Sequence, residues 1–403
     1  MKAKSSNILY FIMLFCACGS YMLAHSTIPN SYGSTIVIIH LFDYFSYFLG
    51  ICIIVSERYP LKKLILCTCV GILILFSALF SKDIILLKGF IIILASLNID
   101  TKTIIKNYLC IILFFTVCFA ILSLTNRIED IIEIRTISGN LRHSLGFSHP
   151  NRLGYVLFLV SLSNLYLHYQ KYNILDVFFN GALVSFAILI TNSKSVAIII
   201  CGIAILELYL IFFKAIPVSA LKFTCKITLI CAPLISLYMS LIYNEKNFYH
   251  MLLNELFTGR LYLAHNAYLK YGFSILGQKI NSVMALEAVR SGNQILAIDN
   301  FYVYVAIHFG YVILILIMLS VFGVFKKVIK NSKSEIFLFW IFFISIYGLF
   351  ENQIIDLRIN FPMLILYNIG LKKFMSYYRD SCSFTISNKR KLQLQNYKLR
   401  IYR

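Results

Sequence analysis

The chain has 403 residues, of which 60% are hydrophobic and 13% charged, and its mean hydropathy is +0.80. Soluble domains are roughly half apolar and a quarter charged, so a soluble fold of this length is excluded. The formal charge of +20 is read mainly as a topology signal and as attraction to an anionic inner leaflet, in preference to nucleic-acid binding. The unbroken Ile/Leu/Phe runs are helical spans and not ten-residue alternating strands, which predicts an all-α polytopic transmembrane bundle of about twelve spans.

Five spans come first, at about 8–23, 34–56, 64–80, 84–97 and 108–124. Lys2 and Lys4 precede the first run as in a signal peptide, but with so many spans following, an uncleaved first helix is expected. In the second span His40 and Asp43 lie three apart on one helical face. Ionisable residues at that depth are suspects by default, either lining a cavity or forming a buried structural pair. Cys16/Cys18 and Cys67/Cys69 are two apart on apolar helices and point to different sides, which favours packing over metal binding. Cys382 lies in the C-terminal tail and the other cysteines in or beside spans, so no external disulfide framework is expected.

The first long connection, 125–151, carries Arg127, Glu129, Asp130, Glu133, Arg135, Arg142, His143 and His149, with Arg152 just beyond. From Asn126 to Ile137 isoleucines alternate with charges, which predicts an amphipathic helix at the interface. From Ser144 to Gly154 a glycine turn is followed by Pro150, which can start the next helix. Spans follow at about 153–168, 174–190, 196–213 and 223–243. Glu207, near the inner end of its span, is expected to snorkel or to pair with Lys214.

The second long connection is 244–298. Thr258 can cap a helix beginning at Gly259, which puts Arg260, Ala264, Ala267 and Tyr271 on one face. A guanidinium at a helix N-terminus favours an anion such as phosphate, and an arginine solvated on a loop is the alternative. His143 and His265 are expected to be structural or solvated. The last spans fall at about 301–325, 336–350 and 359–371, and residues 372–403 form a basic tail too short for a domain. Residues 1–371 are thus one transmembrane domain. With the N-terminus inside, 24 of the 37 Lys and Arg residues face the cytoplasm. That bias predicts both termini inside and both long connections outside.

Four pieces of sequence resemble the Wzy-type O-antigen and capsular polysaccharide polymerases and the related O-antigen ligases. Gly146-Phe-Ser-His-Pro-Asn151 with Gly154 resembles the Gly-Phe-x-His-Pro-Asn start of a mid-chain span in these polymerases. Thr191-Asn-Ser-Lys194 resembles their Ser-Arg pair, with lysine in place of arginine. Gly259-Arg260 through Ile275-Leu-Gly277 resembles their Gly-Arg helix and its closing turn. Asp299-Asn-Phe-Tyr302 with Gly310 stands where the ligases have His-Asn-x-x-Leu, and the Asp for His exchange favours polymerase over ligase. Glu351, Asp356 and Arg358, beside Asn352 and Asn360, resemble a polar cluster at the end of these polymerases.

The resemblance implies a bacterial inner-membrane glycosyltransferase that polymerises undecaprenyl-diphosphate-linked oligosaccharide units at the outer face, beside a flippase and a chain-length regulator. It implies Arg260, Lys194, Arg142 and Arg152 as cations for the diphosphate, with Asn151, Asn300, Glu351 and Arg358 also at the substrate. His149 and Asp299 are the two candidate general bases, His149 being preferred for a pKa nearest neutrality. No cofactor is expected, and no metal, since the chain lacks an Asp-x-Asp pair. A ligase-like transferase and a lipid-linked oligosaccharide flippase are the alternatives. Long external connections and the lack of an internal repeat weigh against the flippase.

Overall fold

The computed structural model describes residues 2–57, 59, 61–134, 141–213, 218–281, 297–329 and 335–370. Arg135, Ile137, Asn140, Lys214 and the tail from Lys372 lie outside the described residues. Helices dominate, and each apolar stretch of the sequence is helical, with ends shifted by a few residues. The first half contains α1 (Lys2–Ala24), the short α2 (Ile28–Ser31), α3 (Thr35–Ser56), α4 (Leu61–Ser81), α5 (Ile85–Ala95) and α6 (Thr101–Leu124). The second contains α7 (Pro150–Leu167), α8 (Ile174–Leu189), α9 (Lys194–Phe213), α10 (Val218–Ile242), α11 (Phe248–Leu256), α12 (Arg260–Tyr271), α13 (Phe301–Val328), α14 (Ile336–Tyr347) and α15 (Phe361–Gly370).

Seven helices among the described residues are long and apolar enough to cross a membrane: α1, α3, α4, α6, α9, α10 and α13. The helices α5, α8, α14 and α15 are apolar but shorter. The outward faces of α3, α8 and α9 carry large exposed hydrophobics such as Val55, Phe178, Ile198 and Phe212. A water-soluble chain would not leave so much apolar surface uncovered, whereas lipid covers it without cost. α7 differs from the rest. It belongs to neither apolar group, and 13 of its 18 residues are buried by other helices. Tyr155 and Phe158 of α7 stack on Tyr347 of α14 with centroids 5.5 and 4.4 Å apart, so α7 is the axis on which the second half packs.

Two polar expectations change on folding. Asp43 does not meet His40. It accepts from Lys88 of α5, from Ser20 at 3.0 Å and from Tyr47 at 3.1 Å, and pairs with Arg358 at 3.2 Å. His40 is exposed and stacks on Tyr44. Glu207 does not snorkel: it is buried between α7, α8 and α9, accepting from Asn180 at 2.7 Å and Asn164 at 3.4 Å, while Lys214 lies outside the described residues. The same network continues through Asp176 to the exposed His168 at 2.5 Å. Asp43 meets cations from α5 and from the turn before α15, and Glu207 meets amides from α7 and α8, each from an element distant in sequence.

The segment from Asn126 is not a helix. Ile132–Ile134 (β1) pairs antiparallel with Leu141–His143 (β2), with Glu133 opposite Arg142. The isoleucines that suggested an apolar helix face also have high strand propensity, and the opposed charges add a cross-strand pair. Asp130 closes the base of the hairpin by accepting from the Ser144 and Leu145 amides at 2.9 and 2.8 Å.

α13 widens to a π-helical turn over Val305–Gly310, where the segment after α12 docks against it. The Ser274 amide donates to the Ala306 carbonyl, Gln278 to His308 and Tyr311 to Ser274. Gly310 (φ +96) and Gly277 (φ +117) make this approach possible, because a Cβ on Gly310 would stand 2.7 Å from the Gly277 nitrogen.

Candidate active site

α12 begins at Arg260, but its N-cap is Gly259 (φ +84), not Thr258. The Thr258 hydroxyl instead accepts from the Arg260 guanidinium. The same guanidinium donates from Nε to the Phe350 carbonyl at 2.6 Å and from Nη2 to Glu351 at 2.9 Å. Asp299 lies 3.8 Å from Nε. Arg260 is therefore not an open anion hook. It is clamped across the turn that follows α14, with the Phe350 ring beneath it.

Glu351 is nearly inaccessible, with 6% of its side chain exposed, and also accepts from Asn151 at 2.9 Å and Gln353 at 3.3 Å. Burial pushes its carboxyl up to about 7, opposed by Arg260 and reinforced by Asp299. Asp299 is raised by burial against the pull of Arg260, and its carboxylate is 35% exposed. Two carboxylates thus share one guanidinium, one sealed and one partly exposed.

Asn151 carries the chain of contacts to the hairpin. Its side-chain oxygen accepts from Arg142 and from Ser193, and Arg142 also donates to the Thr191 carbonyl at 3.0 Å and to Glu133 at 3.1 Å. His149 is the N-cap of α7: Nδ1 accepts from the Asn151 amide at 3.0 Å, and Nε2 lies 3.2 Å from Glu133. An accepting Nδ1 fixes the proton on Nε2, which donates to Glu133. Burial, with Arg142, Arg152 and Arg260 adding to it, pushes His149 down to about 3. Burial raises Glu133 against Arg142. His149 is a neutral imidazole with both nitrogens engaged.

A second arm adjoins the first. Arg358 grips Asp356 with Nε and Nη2, reaches Asp43 with Nη1 and lies over the Tyr21 ring at 5.5 Å. Although burial works against its charge, Asp356 holds Arg358 protonated. Arg152 donates to the Tyr21 phenol oxygen at 3.4 Å. His25 stacks edgewise on the same ring and is held well below its usual pKa by burial and by Arg152 and Arg358. Arg142, Arg260 and Arg358 each have a carboxylate, whereas among the described residues none pairs with the half-buried Arg152.

Of the residues singled out in the sequence, Arg142, His149, Asn151, Arg260, Asp299 and Glu351 form one connected cluster, and Arg152 and Arg358 its second arm. Lys194 is exposed at the start of α9, and among the described residues no hydrogen bond or ion pair joins its side chain to this cluster. Asn300 is buried as the N-cap of α13, donating to Ser236 at 2.9 Å and Leu349 at 3.2 Å. Lys88 was missed, although a lysine inside an apolar run was itself a signal. The pair of Asp83 with His308, at 3.2 Å, gave no local signal, because 225 residues separate them. The chain matches no protein-family model, no curated protein and no solved structure in comparisons with each.

Proposed function

We propose that the chain is a membrane enzyme of about twelve spans, counting the seven long helices with α5, α7, α8, α14 and α15, that joins lipid-diphosphate-linked sugar units into a polysaccharide. The observation that supports this reading is convergence: four stretches far apart in sequence, chosen by the resemblance, supply Asn151, Ser193, Arg260 and Asp299, and these meet through Glu351 and Arg142. The loops that carry them lie at one end of the bundle, the outer face of the cytoplasmic membrane under the charge bias, with both termini inside.

In the proposed reaction, a hydroxyl oxygen of the incoming unit attacks the anomeric carbon of the growing chain. The bond from that carbon to the diphosphate oxygen breaks, and the diphosphate leaves as an anion on its lipid. The hydroxyl proton passes to a carboxylate. Asp299 suits this role better than His149, because its side chain is 35% exposed and, among the described residues, its only partner is Nε of Arg260 at 3.8 Å. The raised pKa of the Asp299/Glu351 pair strengthens its basicity near neutrality. Arg152, the guanidinium without a carboxylate, suits the leaving diphosphate, while Arg142 and Arg260 hold the carboxylates in place.

The test uses the purified protein with undecaprenyl-diphosphate repeat units alone. A ladder of polymer is expected without nucleotide sugar, ATP or added metal, and Asp299→Asn should slow it by roughly 10²- to 10⁴-fold. Movement of the units across vesicles with no ladder would make the chain a flippase. Transfer to a lipid A-type acceptor in place of a second unit would make it a ligase.

A further inference from the structure

α11 (Phe248–Leu256) turns a polar side to the protein and an apolar side away from it. His250 and Asn254, four apart, share one face. His250 stacks on Tyr243 and accepts at Nδ1 from the Asn244 amide at 3.0 Å. Asn254 accepts from the Tyr262 amide at 3.0 Å with its side chain and from the Gly259 amide at 2.8 Å with its carbonyl. The opposite face carries Phe248, Tyr249, Leu252 and Leu256, which are 68, 73, 48 and 68% exposed. No residue of α11 is buried. A helix on a water-soluble surface has the reverse arrangement, its apolar stripe on the core and its polar residues in solvent.

What lies next to α11 is apolar as well. α10 is long and apolar enough to cross a membrane, and its last turns leave Tyr238, Leu241 and Ile242 exposed. Only residues 243–247 separate that surface from Phe248, so α11 starts where a span has just ended and extends the apolar surface of that span. With nine residues it is far too short to cross. Its two exposed rings, a phenylalanine and a tyrosine, follow Lys246, and tyrosine and lysine beside a span are residues that settle at the depth of the lipid headgroups. After α11, Thr258 (φ +53) and Gly259 (φ +84) turn the chain back, which brings the start of α12 against the polar face through the two bonds to Asn254.

We infer that α11 is an interfacial helix that lies in the bilayer surface at the end of α10, with Phe248, Tyr249, Leu252 and Leu256 among the lipid chains and headgroups and the start of α12 above it. The lipid surface then sets the height of Arg260, because Asn254 ties α11 to Gly259 and Tyr262 on either side of it. This seat requires a bilayer around the bundle and is independent of the transferase chemistry.

The test uses the full-length protein in nanodiscs of phosphatidylcholine and phosphatidylglycerol. Phe248→Trp and Tyr249→Trp each add one indole at an exposed aromatic position, and Trp340, the single native tryptophan, is fully buried and gives a constant background. The added emission should be blue-shifted and should lose most of its intensity in lipid brominated at the upper acyl carbons. Lipid brominated at the chain end should quench it less, and aqueous iodide hardly at all. Leu252→Asn with Leu256→Asn should return the emission to the red and restore quenching by iodide; unchanged emission would take this face out of the contact. Quenching of both indoles by iodide and not by brominated lipid would overturn the inference by giving the face to water. Strongest quenching by chain-end bromine would also overturn it, by sinking α11 into the bilayer core. Quenching by neither would give the face to protein, and native mass spectrometry of the discs would show whether that protein is a second copy of this chain.

Discussion

Arg260 donates to a carbonyl, a hydroxyl and a carboxylate at once, so its guanidinium is occupied before any phosphate arrives. Arg260→Ala should leave Glu351 buried without its cation and lower stability by about 3–5 kcal/mol, measurable as a fall in thermal midpoint. Arg152→Gln, by contrast, should leave the midpoint nearly unchanged and raise the KM for lipid-diphosphate donor. The carboxyl pair sets the pH dependence. Asp299, the proposed base, is raised by burial against the pull of Arg260 and accepts a proton only above its folded pKa, so kcat/KM should climb with pH at a pH above the ordinary carboxylate range. Glu351→Gln should move that limb to lower pH, since Asp299 then keeps Arg260 to itself; an unmoved limb would take the pair out of the chemistry. The sequence named the cluster but not its wiring. His149 looked like the better base from its ordinary pKa alone, and only the Asn151 amide and Glu133 beside it show both nitrogens engaged.

At the scale of elements, helices were legible wherever an apolar run was long, because a bilayer-sized stretch of Ile, Leu and Phe has one folded solution. The hairpin of β1 and β2 was not, since alternating isoleucines and charges over a few residues satisfy both periods. The π-helical turn left only a weak trace, Gly277 and Gly310, whose need for each other appears once the segment after α12 is seen against α13. Gly310→Ala would place a methyl against that segment at a backbone angle that L residues avoid. It should cost about 1–3 kcal/mol and lower the thermal midpoint, whereas Gly181→Ala, with nothing within 4 Å, should not. Equal midpoints for the two variants would show that the docked segment yields without strain.

The molecule as a whole joins its two long connections through the contacts of Arg142, Asn151, Glu351 and Arg260 and carries apolar helices along its flanks; the proposed topology puts both connections outside. A cysteine at Asn281 in a cysteine-depleted background should therefore react with an impermeant thiol reagent in intact cells, after outer-membrane permeabilisation if there is one, and a cysteine at Lys171 only after lysis. The reverse pattern would invert the map. α7, wrapped by the rest of the bundle, has a bearing on how the chain is made. A helix that carries Arg152, Ser161, Ser163 and Asn164 is a poor candidate to leave the translocon for lipid unaided, and in the finished protein it touches little lipid. Its lasting neighbours α8 and α9, which supply Asn180 and Glu207 to its polar side, are synthesised after it. In the proposed twelve-span arrangement α7 therefore waits at the translocon until its partners emerge. In a cell-free insertion assay, a chain ending after α7 should leave that helix largely uninserted, and extension through α9 should insert it.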